Sequence, residues 1–212
     1  MIITVGGIKG GSGKSLITTN LTVIRAHKNK KILLVDADDQ GTSSDWSRHR
    51  MSLGVDTPWT TVRLSDNSVR TEIQKMSKDY DDIIIDSGGR DTYSLRAALT
   101  ISDIFLIPFQ PKSFDIWTAT KVSSLAVEAK VFNEKLKVLA FINCGGSKGN
   151  DNEETFNVLG EFKNLNILPV VVGQRKALSN ATAEGLGIIE IKTDAKAIQE
   201  IMSLHDIIFL SN

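Results

Sequence analysis

A glycine-rich stretch, Gly6-Gly7-Ile8-Lys9-Gly10-Gly11-Ser12-Gly13-Lys14-Ser15, separates a short apolar run, Met1 to Val5, from a segment of helical spacing, Lys14 to His27. Strand, glycine-rich turn and helix in that order point to a βα unit that cradles phosphate. Glycines let consecutive backbone N–H groups curl round phosphate oxygens, and the helix N-terminus adds positive potential. Gly10, Gly11, Ser12, Gly13, Lys14, Ser15 and Leu16 form the expected cradle. Within it Lys14 is placed to reach the outer phosphates and Ser15 to set its hydroxyl on Mg2+. The stretch departs from the usual G-x-x-x-x-G-K-[ST] pattern: Ile8 stands where glycine is expected, and a second lysine appears at Lys9.

The rest of the chain repeats the alternation. Apolar runs recur at Ile2 to Val5, Ile32 to Val35, Ile83 to Ile85, Ile104 to Ile107, Val138 to Ile142 and Ile167 to Val172. They lack polar alternation, which predicts strands covered on both faces. Helical spacing falls between them at Ser43 to Met51, Ser68 to Lys78, Thr92 to Thr100, Phe114 to Phe132, Glu153 to Phe162 and Thr193 to Leu204, while Gly145 to Glu154 is polar enough for a mobile loop. The pattern predicts a doubly wound, mostly parallel α/β sheet with helices on both faces, in a single domain over residues 1–212. Ligands in such sheets bind beyond the carboxyl ends of the strands.

Composition narrows the function. Lys plus Arg and Asp plus Glu both number 25, so no global field draws the chain to nucleic acid or membrane, and any such contact needs a local patch. A single cysteine, Cys144, excludes a disulfide framework or a multi-cysteine cluster within one chain. No run approaches the ~20 apolar residues of a membrane span, and the N-terminus lacks a signal-peptide layout; a cytoplasmic protein is expected.

Two further runs end in acids. Asp36-Ala37-Asp38-Asp39-Gln40-Gly41 follows the second run, and Asp86 follows the third within DDIIIDSGG, where the preceding isoleucines hold it rigidly enough to orient Mg2+ directly or through water. With the phosphate loop, these elements bear a specific likeness. Lys9 to Ser15 resembles the deviant Walker A motif, K-G-G-x-G-K-[ST], of the ParA/MinD ATPases, whose required positions begin at Lys9 rather than Ile8. Asp36 to Gly41 is similar to that family's D-x-D-P-Q-G, with Asp39 replacing proline, and Ile83 to Ser87 resembles its Walker B strand. Ile107-Pro108-Phe109-Gln110-Pro111, with Asp115 beyond, resembles its I-P-x-x-P segment. Gln174-Arg175-Lys176-Ala177, Glu184-Gly185-Leu186 and Trp46 resemble the short ParA proteins of plasmid partition.

The resemblance implies a P-loop NTPase of the SIMIBI type, using ATP/ADP and Mg2+, with weak intrinsic hydrolysis. It implies that Lys9 crosses a dimer interface to the partner's nucleotide, making the homodimer ATP-dependent. Asp38 matches the aspartate that positions the attacking water. Asp36, Asp86 and Ser15 fall on the metal side, and Ser87 to Arg90 on a γ-phosphate sensor. Asn143 falls where relatives read adenine, and Gly173, Gln174 and Arg175 on a loop that closes over the base. The implied function is plasmid or chromosome segregation, with nonspecific DNA bound by the dimer through candidates Arg175, Lys176, Lys192 and Lys196, and with a ParB-like or other small adaptor stimulating hydrolysis. A relative that positions another cargo, such as an organelle or conjugation complex, would share the same core.

A MinD-like membrane switch would need a basic amphipathic C-terminal helix, and Ala197 to Asn212 carries no lysine or arginine. Cys144 alone does not supply the cluster ligands of nitrogenase-reductase-like relatives. Metabolic P-loop transferases are disfavoured by Trp46 and the Gln-Arg-Lys-Ala element. With the first strand beginning at Ile2, no helix-turn-helix is expected before it.

Overall fold

The computed structural model describes residues 1–111 and 113–210, the side chains of 113–116 excepted. The Asp115 side chain and the last two residues of the Ala197 to Asn212 stretch lie outside the described residues. The chain order is β1 (Ile2–Val5), α1 (Lys14–His27), β2 (Ile32–Ala37), α2 (Thr42–Ser52), β3 (Trp59–Arg63), α3 (Asn67–Met76) and β4 (Asp82–Ser87). It continues through α4 (Tyr93–Leu99), β5 (Ile104–Phe109), α5 (Ser113–Phe132), β6 (Lys137–Gly145), α6 (Asp151–Gly160), β7 (Asn166–Gly173), α7 (Lys176–Ala183) and α8 (Ala195–Leu210). The strands form one seven-stranded sheet in the order β3-β2-β4-β1-β5-β6-β7, and every pairing is parallel.

Alternate residues of each central strand feed opposite layers, which is why the apolar runs show no polar alternation. Ile84, Ile104 and Leu106 face a core built with α1, α7 and α8. Ile83 and Ile85 face α3, and Phe105 and Ile107 face α4, α5 and α6. Each such side chain, fully withdrawn from water, contributes about 1.5–3 kcal/mol before entropy is counted. Pro108 is tolerated near the middle of the sheet because β1 has already ended: Gly6 N donates to Leu106 O, and two residues on, the missing proline N–H would face no strand.

The strand order reverses around β1, with β4 on one side and β5 on the other. That crevice is where doubly wound sheets hold ligands. The predicted apolar runs are all strands. The structure adds β3 at the sheet edge, whose sequence WTTVR is half-buried and polar, and α7, which buries only Leu178 and Ala181. The expected loop Gly145 to Glu154 is shorter, because α6 starts at Asp151. Its first turn holds Asp151, Glu153 and Glu154, acids that suit the positive end of a helix. α8 runs beyond Leu204 to Leu210, and its apolar side, Ala197, Ile201, Leu204 and Ile208, is spent inside the core. No helix among the described residues is long and apolar enough to cross a membrane.

Away from the strand ends, Arg50 organises a second buried cluster. Its guanidinium donates to Glu190 at 2.6 and 2.7 Å, to Gly185 O at 3.0 Å and to Asp56 O at 2.8 Å. It also lies over the rings of Trp46 and Trp59, which stack 5.7 Å apart. Trp46, noted in the sequence for its likeness to partition proteins, is thus a core residue against Val23 and Leu34. Trp117, on α5, is 71% exposed.

Candidate nucleotide-binding site

The phosphate loop leaves β1 and enters α1 through Gly13, whose φ of 86° belongs to the left-handed region that glycine adopts without strain. No side chain caps α1, and its first turn contains no acid. The leading N–H groups are therefore left for an anion. Lys14 is buried and folds back over the loop, donating from Nζ to Lys9 O at 2.9 Å. Burial pushes its pKa below the ordinary lysine value, against the pull of Asp86 and Asp38. A desolvated ammonium held by one carbonyl gains strongly when phosphate oxygens replace that partner.

Parallel pairing sets the acids beside the loop. Asp86 is in register with Val5 of β1 and with Asp36 of β2. Neither carboxyl oxygen of Asp86 has a hydrogen-bond partner among the described residues, and both are buried. Burial raises its pKa to about 7. The Ser15 and Ser43 hydroxyls and the Lys14 charge oppose that shift, while Asp36 adds to it. The Ser43 hydroxyl is itself buried and near Asp86, with no hydrogen bond of its own at bonding distance among the described residues. An orphaned carboxyl next to hydroxyls and a lysine fits a hard cation that takes oxygen ligands. No group of three or more His, Cys, Asp or Glu side chains among the described residues could hold a metal unaided. Mg2+ is a cation of that kind, which takes one or two carboxylates and completes its shell with phosphate and water.

Asp36, also buried, is differently employed: Oδ1 accepts from Asp38 N at 3.2 Å and Oδ2 from Ser44 N at 2.8 Å. It braces the turn and the start of α2. Asp38 accepts from Gln40 N at 3.1 Å, and a methyl at Gly88 would stand 3.2 Å from its Oδ1. One residue on, a methyl at Gly89 would approach Gly10 N to 2.7 Å. Glycine is needed there because Ser87 to Arg90 packs directly on the phosphate loop.

Two amides from neighbouring strand ends complete the loop's surroundings. Asn143 of β6, 3% exposed, donates from Nδ2 to Ser12 O at 2.7 Å. Gln110, just after β5, donates from Nε2 to Gly11 O at 2.7 Å. Gln174 is exposed, with its backbone N–H on Gly145 O at 3.1 Å. Arg175 is committed to Glu200 at 2.7 and 2.8 Å and lies 3.6 Å from Asp194. Lys176, Lys192 and Lys196 are exposed. Lys9 is half-buried. Neither Ser43 nor Gln110 carries a site signal of its own in the sequence: a serine at a helix start and a glutamine after a strand become informative only once the sheet order puts them beside Asp86 and Gly11.

Residues 3–189 match the model of the CobQ/CobB/MinD/ParA nucleotide binding domain. Among individual proteins, the chain is 25% identical over 213 aligned positions to the maintenance of carboxysome distribution protein A of Halothiobacillus neapolitanus, covering 95% of this chain and 94% of that one. A putative plasmid partition protein of Borrelia burgdorferi B31, solved bound to AMPPNP, superposes with a TM-score of 0.77 at 20% identity, covering 100% of this chain and 99% of that one. The septum site-determining protein MinD of Pyrococcus horikoshii, solved with Mg-ADP, gives 0.75 at 18% identity over 100% and 97%. At those identities the two solved structures establish the fold. With the family model spanning most of the sheet and every strand end described above, the chain belongs to the CobQ/CobB/MinD/ParA nucleotide-binding family.

Proposed function

We infer that this chain is an ATP-driven switch that binds ATP with Mg2+, pairs with a second copy while ATP is bound, and resets by slow hydrolysis. The observation that carries this reading is Asp86, whose two bare, buried oxygens are unfavourable alone and become useful once a cation joins them. Ser15 and Asp86 would hold Mg2+, with Asp36 bracing the adjoining turn. When bound, Mg2+ supplies positive charge against the phosphates.

The chain's own groups do the rest. Lys14 Nζ exchanges the Lys9 carbonyl for phosphate oxygens. A carboxylate oxygen of Asp38, beside Gly88, orients the attacking water. Lys9 extends its charge toward the nucleotide of the second copy, as a cation in trans lowers the barrier to phosphoryl transfer. Gly88 and Gly89, packed on Asp38 and Gly10, let Ser87 to Arg90 follow the state of the phosphates.

Two loads suit such a switch. One is DNA, bound without sequence preference through a local basic patch. Since Arg175 is paired with Glu200, that contact falls to Lys176, Lys192 and Lys196. The other is a non-DNA cargo, favoured by similarity along nearly the whole chain to a carboxysome distribution protein. In either case a ParB-like or other small adaptor stimulates hydrolysis. Sedimentation of wild type and Lys9→Ala with ATP-Mg2+ or ADP tests the switch: a wild type that stays monomeric with ATP while hydrolysis is blocked defeats it. Salt-dependent binding to arbitrary duplex DNA tests the load, and indifference to ATP defeats the DNA reading.

A further inference from the structure

The loop that must present its N–H groups to phosphate has carbonyls that need somewhere to go. Two successive ones are taken by side-chain amides from adjacent parallel strands: Gly11 O by Gln110 and Ser12 O by Asn143, both at 2.7 Å. β5 and β6 pair in register up to Phe109 and Ile142, so the residue after each pairing, Gln110 and Asn143, reaches the same loop from neighbouring positions. Asn143 is packed so closely that a methyl group at Gly13 would collide with its Nδ2. On the far side, Gly89 lies against Gly10.

The structure assigns Asn143 and Gln110 as a two-amide clamp that holds the carbonyls of Gly11 and Ser12 outward and so positions the loop N–H groups for phosphate, with Asn143 acting on the phosphate half of the nucleotide and not on its base. The assignment rests on the nucleotide reading above. It departs from the base-reading role that the family resemblance implies for this asparagine. Base reading would go through its side-chain oxygen or the second N–H of its amide, since the Ser12 carbonyl takes only one of the two donors, and this is the competing outcome.

The two roles differ in which ligands they affect. A clamp shapes the cradle for any polyphosphate, whereas a base contact discriminates between nucleotides. Affinities for ATP, GTP and inorganic tripolyphosphate, each read by displacement of a fluorescent ATP analogue in Mg2+, separate them in wild type, Asn143→Ala, Asn143→Asp and Gln110→Ala. Asn143→Asp keeps the shape and sets an acceptor against the Ser12 carbonyl. Losing a buried donor and stranding its carbonyl predicts roughly ten- to a hundredfold weaker binding. The clamp requires the same factor for all three ligands, with the ATP-to-GTP ratio unchanged, and a weaker loss of the same kind in Gln110→Ala.

A loss confined to ATP, with tripolyphosphate unaffected, overturns the clamp, and so does an Asn143→Asp variant that binds like wild type. Thermal melts without ligand check that each variant folds. If the Asn143 variants do not, the more exposed Gln110→Ala decides alone: an unchanged tripolyphosphate affinity there overturns the clamp. A wild type that fails to bind the analogue at all refutes the nucleotide reading itself, a result distinct from any of these.

Discussion

Two acids largely withdrawn from water live in opposite circumstances. Glu190 accepts from Arg50 at 2.6 and 2.7 Å, from Gly187 N at 2.8 Å and pairs with His27 at 3.1 Å. Those partners hold its pKa below the ordinary carboxylate value although burial works the other way. Asp86 has no hydrogen-bond partner within bonding distance among the described residues, and burial, outweighing the nearby Ser15 and Ser43 hydroxyls, drives its pKa up to about 7. A satisfied buried charge holds structure in place, whereas an unsatisfied one at a strand end is kept for a ligand.

The contrast breaks most visibly at Arg50. Arg50→Ala leaves Glu190 buried without its cation and removes the group lying over two indoles, so stability falls by about 3–5 kcal/mol. Urea unfolding measures this, and a loss below ~1 kcal/mol contradicts the structural role given to the cluster. Asp86→Asn moves stability the other way. It relieves an unpartnered carboxylate and is expected to stabilise the ligand-free chain at pH 8 by about 1–3 kcal/mol, while abolishing Mg2+-dependent ATP turnover. A destabilised, fully active Asp86→Asn protein overturns both expectations.

The pH response follows from the same carboxyl. Between about pH 4 and 7 the folded chain keeps the Asp86 proton that the unfolded chain has released. The folded state binds more protons there, so this group's contribution to stability declines as pH rises through that window and levels off above it. Stability measured at pH 5 and pH 8 should therefore fall more steeply in wild type than in Asp86→Asn. Equal slopes mean the carboxyl titrates normally. Because cation and proton compete for the same oxygens, stabilisation by ATP-Mg2+ should grow as pH rises through about 7. The smallest effect belongs to His27→Ala. The His27 side chain is 54% exposed, and its pairing with Glu190 is expected to contribute below ~1 kcal/mol.

Much of this was legible from residue order alone. The central strands announce themselves as unbroken apolar runs because both faces are covered, Asp86 stands near the end of one of them, and Lys14 and Ser15 open the helix after another. β3 escaped because an edge strand of alternating exposure, WTTVR, carries no such run. α7 escaped because KALSNATA offers almost no apolar stripe. The clamp by Gln110 and Asn143 is invisible in sequence for another reason: their partners are backbone carbonyls of a loop some hundred residues away, at separations of 99 and 131. Only the sheet order sets β5 beside β1 and β6 next to β5 on that side.

The placement of the indoles gives the molecule an optical readout of its own. Trp46 and Trp59 lie face to face, 4° from parallel, inside the Arg50 cluster, whereas Trp117 stands in solvent on α5, one residue from Thr118, which lines a small hollow with Lys9 and Ser12. Emission from the stacked pair tracks whether the whole chain is folded. Trp117 emits from a wet environment one residue along the helix from that hollow, so a blue shift of its red-edge signal on adding ATP-Mg2+, with the stacked pair's contribution unchanged, would report a change on this part of α5 in an unlabelled protein and in real time.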